Sequence, residues 1–415
     1  MEELEIQENL IKSASSVARK VKTFVLLGTA TLQLPIWGVA QTFGILQEAY
    51  SHFDFLDGPR DSTAVVGTTM NGVIYLSIPM LFTILDRGRW SSYRRPVAMA
   101  GGVLTSTSFV ISSFSARFWH LVLLQGIFGA LGSSMMYSSS TLYLDDWFSS
   151  GRATAYGAVL SSKSIVGTAF PVLLSLLIQK IGVRWTLRVW AVIVLVTGSA
   201  GTFIVPHKAT LKRKIRHTPW SFLRHATIYR YMIANMVFSC AYAMPQTYVS
   251  QYANDALHLS TISSSLIITA FNAPSIFSTI AFGLMSDKLN LSATAITLIS
   301  AVGSSMAVFL LWATVSNHVP CRPDTFLSNL RPQEATSANE AINTGMIHGL
   351  LNGACEIGYA VSGFLGVELF KSGAVVRSGW GLGTQYGTLI LFTGIGSFLG
   401  GSSILWSGYQ RLKAL

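Results

Sequence analysis

Residues 118–144 read FWHLVLLQGIFGALGSSMMYSSSTLYL, without one Asp, Glu, Lys or Arg. The hydrocarbon core of a bilayer is about 30 Å thick, and a helix rising 1.5 Å per residue crosses it in roughly 20 apolar residues. This stretch is long enough to span. It lacks the period-two alternation of a barrel strand, and backbone in lipid must satisfy its own hydrogen bonds, so it reads as helix. Outward from it, charge-free stretches occupy 23–47, 62–85, 96–116, 189–207, 231–254, 256–286, 289–321 and 378–410. Two more apolar stretches of helix length, 152–178 and 344–370, carry Lys163 and Glu356 within them.

The composition agrees with this reading. Of 415 residues, 50% are hydrophobic and only 11% are charged, whereas soluble domains carry about 25% Asp, Glu, Lys and Arg. A soluble enzyme, a disordered regulator and a secreted disulfide scaffold are excluded. The three cysteines, Cys240, Cys321 and Cys355, are too few for a disulfide framework or a zinc site. His348 with Cys355 supplies two metal ligands without a third. No Walker loop and no nucleophile–base motif occurs in the required context, so no cofactor, no metal and no enzymatic activity are expected.

The expected spans lie near 23–46, 63–85, 97–115, 119–142, 153–178, 185–205, 231–252, 262–285, 292–315, 344–370 and 387–408. With the N-terminus in the cytoplasm, the inside segments around the first nine spans hold seventeen Lys and Arg. The outside segments hold Arg60, Arg117, Lys180 and Arg184. That asymmetry is the positive-inside signature. It assigns the net charge of +11 to one membrane face and its anionic lipids rather than to nucleic acid. The acid-rich start, residues 2–8, does not resemble a secretory signal, and the first span is expected to act as its own insertion signal. The sequon Asn290-Leu291-Ser292 falls on the inside face, where it would not be glycosylated.

Segment 206–230 carries seven basic residues and no acid, and it divides the chain. The expected organisation is a tail at 1–22, a six-helix bundle at 23–205, this basic linker, a second bundle at 231–408 and a tail at 409–415. The halves resemble each other. Asp86 closes the second span and Asp287 the eighth, 201 residues apart; Asn71 and Asn272 share that offset, each 15 residues before its aspartate. Paired halves around a midplane site recur in transporters. Acid followed by base at these helix ends makes Asp86, Arg87, Asp287 and Lys288 candidate gating residues, with Arg152 entering the fifth span.

Several local patterns then carry a family resemblance. They are Trp37-Gly38 and Phe43-Gly44-Ile45-Leu46-Gln47-Glu48; Gln125-Gly126 with Gly129 and Gly132; and Trp147-Phe148, Arg152-Ala153 and Tyr156-Gly157. Further along stand Arg184-Trp185 with Arg188, Pro245 with Tyr248 and Tyr252-Ala253, Asn272-Ala273 with Gly283 and Asp287, and Gly345-Met346 through Gly363. In order and spacing the chain resembles the major facilitator superfamily, in the fungal branch similar to monocarboxylate porters. The resemblance implies an all-α polytopic membrane protein of two pseudo-repeated helical bundles. It implies alternating access, with the first, fourth, seventh and tenth helices lining a central cavity, and it favours the plasma membrane over the vacuole or another internal membrane.

Two departures stand out. Family members carry Gly-Arg six and seven residues after the eighth-span Asn; here Ser278 and Thr279 stand there, so proton-coupled carboxylate transport does not carry over. The tenth span is also absent. Segment 317–343 contains Pro320, Pro323, Pro332, Arg322, Asp324, Arg331, Glu334 and Glu340. Charges at a helix centre cost about 2.5–3.5 kcal/mol each on insertion scales, so it reads as non-spanning. That leaves about eleven spans and a parity conflict with Arg411 and Lys413, which favour the inside. The expectation is weak or absent transport by this chain as written.

Lys163 lies eleven residues beyond Arg152, about 16 Å along a helix. Intramembrane ionisable groups are expensive and face a cavity or a partner. Lys163 is the candidate for attracting an anionic substrate, and Glu356 for carrying a coupling proton or balancing that charge; a structural pair is the alternative for both. Trp37, Gln41, Gln125, Tyr137, Tyr242 and Gln246 stand on the first, fourth and seventh helices as candidate cavity lining, with Asn71 and Asn272 on the pathway. Packing between helices is the alternative for each. The partners expected are the bilayer and a small-molecule substrate, an organic anion or small metabolite taken up or expelled. A sensor that binds without translocating is the competing reading.

Overall fold

The structure is a computed structural model that describes residues 2–51, 64–86, 90–148, 151–206, 226–257, 261–288, 293–308 and 386–400. Within 354–373 it describes 354–355, 357–359, 361–362, 365–366 and 368–373. Every long element among them is helical, as apolar backbone in a membrane requires. Helix α1 spans Glu2–Ser51, with Pro35 inside and a break in helical geometry at Thr42. Next come α2 at Ala64–Leu85 and α3 at Arg94–Ser112. Helix α4 runs Phe118–Trp147 and is wound as π-helix over Val122–Gly129. Helix α5 covers Arg152–Ile204. The second half contains α6 at Ala226–Leu257, α7 at Thr261–Lys288, α8 at Ala293–Ala307 and α9 at Gly387–Gly400. Among the described residues, Arg19–Gln47, Val65–Leu85, Phe118–Trp147 and Arg152–Ile204 are long and apolar enough to cross a membrane.

The sequence suggested two spans separated by 179–184; the structure joins them in α5. A straight helix of 53 residues would reach about 80 Å, far beyond a bilayer. Gly182 resolves this with φ of 76°, a left-handed conformation that glycine adopts without a Cβ penalty. The two arms fold back on each other, so that the Phe170 and Trp190 rings lie 4.6 Å apart.

Helices α1–α5 share one core that includes Ile36, Trp37, Phe82, Phe109, Leu174 and Trp190. Small residues set the closest crossings. A Cβ on Gly132 would lie 2.5 Å from the Gly101 carbonyl oxygen of α3, and one on Gly28 would lie 2.8 Å from the Gly201 carbonyl oxygen of α5. Lipid supplies no hydrophobic drive between helices, so such close packing is what holds them. In the second half, Met244, Val308, Leu389 and Ile390 form a smaller core.

Large apolar side chains including Leu76, Met80, Val192, Val196, Phe203 and Phe277 point outward, the reverse of a soluble surface and as lipid demands. Trp90 and Tyr93 are exposed at one end of the first half, and Phe114, Trp119 and Trp185 at the other. Interfacial aromatic belts have this arrangement. The expected linker basics from Lys208 to Arg224, the segment 317–343, Arg87 and Glu356 lie outside the described residues.

Candidate functional site

The α5 helix delivers Lys163 to a cluster of aromatic rings. Its Nζ sits 3.7 Å from the centroid of the Trp37 ring and donates to the Tyr75 hydroxyl at 3.2 Å. The Trp37 indole N–H donates in turn to Gln33 Oε1 at 3.0 Å. Its ring packs against Tyr75 at 5.1 Å and edge-on to Tyr137 at 5.7 Å. Trp37, Tyr75 and Tyr137 are buried, and Lys163 is half-buried. A cation over indole gains about 2 kcal/mol or more once desolvated, which offsets part of the cost of an ammonium at this depth. Four helices, α1, α2, α4 and α5, thus meet at one charge.

Of these residues, Trp37, Tyr137 and Lys163 are candidates from the sequence, and the structure brings them together. Tyr75 and Gln33 are additions. Gln33 precedes Trp37 by one turn on the same helix face, a signal available in the sequence; nothing in the sequence marks Tyr75. Gln125 is taken up by hydrogen bonds between helices. It is fully buried, its amide N–H donates to Tyr50 at 2.8 Å and Ser112 at 3.0 Å, and its oxygen accepts from the Tyr50 hydroxyl at 3.1 Å. Asn71 bonds within its own helix, donating to the Gly67 carbonyl at 3.2 Å. Tyr242 is half-buried on α6. Gln246 lies on the same helix, but its side chain is outside the described residues, as are Glu356 and Arg87.

A seam joins the two halves along the first arm of α5 and the length of α7. At one end the Asp287 carboxylate accepts from the Thr154 backbone N–H at 2.6 Å. Thr154 lies in the first turn of α5, where backbone donors have no intrahelical acceptor and the helix dipole favours negative charge. A carboxylate from one half therefore caps a helix of the other. Next along the seam, a Cβ on Gly283 would lie 2.6 Å from the Ala153 carbonyl oxygen, and one on Gly157 would lie 2.5 Å from that of Thr279. Further in, Asn272 donates to the Gly167 carbonyl at 3.4 Å and Thr269 to that of Thr168 at 3.1 Å. One antiparallel register runs from Thr154 to Thr168, about 21 Å of helix.

The seam also accounts for Thr279. It is 1% exposed, and its backbone fills the space left by Gly157. The Thr279 hydroxyl donates back to the Ile276 carbonyl at 3.2 Å.

The two repeat-related aspartates do different work. Asp86 stays within the first half, 3.3 Å from Arg94, whose other nitrogen reaches Asp146 at 2.6 Å. The Arg94 Nε donates to the Leu85 carbonyl at 3.1 Å. Arg94 is 1% exposed and organises the end of α2, α3 and α4; nothing in the sequence distinguishes it from the neighbouring basic residues Arg87, Arg89 and Arg95. Arg152 pairs with Asp145 at 3.3 Å, and Tyr156 donates to the same carboxylate at 3.1 Å. Lys288 is exposed.

A family model described as Major Facilitator Superfamily matches residues 23–321. Among curated relatives, an MFS-type transporter of Gibberella moniliformis is 27% identical over 215 residues, 49% of this chain and 50% of that one. The Fujikurins efflux protein of Gibberella fujikuroi is 22% identical over 266 residues, 63% of this chain and 56% of that one. The Aspyridones efflux protein of Emericella nidulans is 24% identical over 266 residues, 64% and 53% respectively. The chain spans about half to three-fifths of the length of the curated relatives it matches. The crystal structure of the human organic anion transporter MFSD10 (TETRAN) superposes with a TM-score of 0.61 at 15% identity, over 92% of this chain and 99% of that one.

Proposed function

The chain belongs to the major facilitator superfamily, and from that premise we propose that it is a secondary active transporter moving a small organic anion by alternating access. The observation that carries the reading is Lys163, a cation held at mid-bilayer depth against Trp37 and Tyr75 beside the seam between the halves. An anionic group entering there gains a charge-assisted contact in a medium of low dielectric. The rocking bodies are taken as 23–205 and 231–408 joined by 206–230. The Asp287–Thr154 contact and the glycine packing behind it act as the gate on the basic face, with Arg152 and Asp86 bracing the helix ends around it.

The names of the fujikurin and aspyridone relatives support export as the direction, from the cytoplasm across the plasma membrane. Glu356 remains the candidate carrier of a coupling proton. A second reading, a relative that binds without translocating, is favoured by the prolines and charges of segment 317–343.

Counterflow separates the two. The 415-residue chain, reconstituted in liposomes preloaded with benzoate or hippurate, is expected to accumulate the labelled anion transiently, and Lys163→Gln is expected to remove that accumulation at equal protein content. Anion-dependent thermal stabilisation with no counterflow selects the binding-only reading. Counterflow undiminished by Lys163→Gln removes the anion site.

A further inference from the structure

The seam and the Lys163 cluster use the first arm of α5; Arg188 lies on the second. On that arm Trp185, Val192, Leu195 and Val196 are exposed, and their spacing from Arg188 puts all four on its helix face. An outward apolar stripe in a membrane protein is the face that lipid covers. A guanidinium in the middle of it is out of place, because ionisable side chains within a span face a cavity or a partner. Gly182 breaks the helix, so Arg188 stands about 9 Å along the second arm. From there a long side chain snorkels to the headgroups.

The side chain is held as a clamp holds a bar. The Arg188 guanidinium carbon is 4.6 Å from the centroid of the Phe114 ring and 4.6 Å from that of Trp185. Both rings stand outward, 66% and 59% exposed. The Arg188 Nε donates to the Ser113 hydroxyl oxygen at 3.0 Å, and that hydroxyl donates to the Val110 carbonyl at 2.7 Å. The orientation of the guanidinium is thereby fixed. The rest of its N–H fork meets no carboxylate among the described residues. Ser115, two residues beyond Ser113, is 8% exposed, and its hydroxyl has no hydrogen-bond partner among the described residues. The surrounding sequence repeats the sign: 109–121 and 178–190 contain Arg117, Lys180, Arg184 and Arg188, and neither Asp nor Glu.

We infer that Arg188, clamped between Phe114 and Trp185, binds the phosphodiester of a membrane phospholipid on the flank where α3 meets the second arm of α5. A guanidinium fork matches two phosphate oxygens, and acyl chains cover the apolar stripe that a free anion would leave bare. The site is separate from the substrate pathway. It gives the bundle a fixed lipid at the end opposite Asp86 and Arg94.

Native mass spectrometry and ligand-dependent melting of the purified full chain in detergent test it. The probes are dioleoylphosphatidylglycerol, dioleoylglycerol with the same chains and no phosphate, and inorganic phosphate. The wild-type chain is expected to bind the phospholipid about tenfold or more tighter than dioleoylglycerol, the scale of one charge-assisted hydrogen bond, and to ignore millimolar phosphate. Arg188→Gln is expected to remove that preference. Trp185→Leu, at an exposed position, opens the clamp and is expected to weaken the phospholipid about threefold. Lys180→Gln, which removes an exposed charge, is expected to change nothing. Equal binding of the two lipids by the wild type, or a preference that survives Arg188→Gln, overturns the site. A Lys180→Gln loss as large as that of Arg188→Gln reduces it to bulk charge attraction and overturns it too. If Arg188→Gln does not fold, unchanged phospholipid affinity in Trp185→Leu overturns it instead. Stabilisation by inorganic phosphate that Arg188→Gln abolishes marks a free-anion site and overturns the lipid.

Discussion

The Asp287 carboxylate accepts a 2.6 Å hydrogen bond from the Thr154 backbone N–H, so the last turn of α7 caps the first turn of α5. The two residues are 133 apart in sequence and belong to opposite halves. An N-cap contact contributes about 1 kcal/mol, and here it links the two halves at one end of the seam.

Asp287→Ala is therefore expected to loosen the seam at that end without unfolding either half. Labelling of Ala153→Cys by an impermeant maleimide, applied from the Asp287 side, is expected to accelerate in the Asp287→Ala background. Unchanged labelling would show that the cap does not gate access.

Gly157→Val places a side chain where only 2.5 Å separates the Cβ position from the Thr279 carbonyl oxygen. Overpacking of this kind costs about 1–3 kcal/mol, and the strain falls on the seam. Transport is expected to drop about tenfold while surface abundance stays near wild type. Gly303→Ala is the control, since nothing lies within 4 Å of its Cβ position. Equal transport by the two variants would remove the seam from the cycle.

Lys163→Met removes a charge that the bilayer tolerates poorly, about 2.5–3.5 kcal/mol at a helix centre on insertion scales. Its melting temperature is expected to equal or exceed that of the wild type, while transport and anion-dependent stabilisation are lost. A fall in abundance that matches the fall in transport would instead mark Lys163 as half of a structural pair.

Arg94→Ala takes from Asp86 and Asp146 a shared cation whose side chain is only 2% exposed. Breaking a buried ion pair from one side costs about 3–5 kcal/mol. The expected phenotype is loss of folded protein, read as abundance and melting, rather than altered substrate affinity. Arg94→Lys is expected to fail as a rescue, because an ammonium cannot reach two carboxylates and the Leu85 carbonyl in the fork geometry.

Gln125→Leu leaves the buried Tyr50 hydroxyl without its amide partner, a penalty of about 1–3 kcal/mol. Stability is expected to fall and the affinity for either test acid to hold. A change in affinity at full stability would return Gln125 to the cavity.

Which of the candidate residues could be read from the chain follows a physical pattern. Lys163 was legible because a lysine inside a span is rare and costly. Asp287 was legible through the repeat and its place at a helix end. Arg94 was not, since a basic residue in a basic loop looks like any other until two carboxylates enclose it. Gly157 and Gly283 were two of 36 glycines, and only the distances around them mark the tight crossings of the seam. Asn71 and Asn272 looked equivalent at an offset of 201 residues, yet one bonds within its helix and the other across the seam.

By itself the sequence determined that the chain is helical, lies in a membrane and is built from two related halves. Those properties follow from run length, charge exclusion and order along the chain, which lipid imposes on any sequence regardless of neighbours. The tertiary structure alone decided which side chains meet. Each residue turns a helix by about 100°, and small-residue crossings fix the rotation of every helix against the next. The pairing of Lys163 with Trp37 and of Asp287 with Thr154 depends on those rotations.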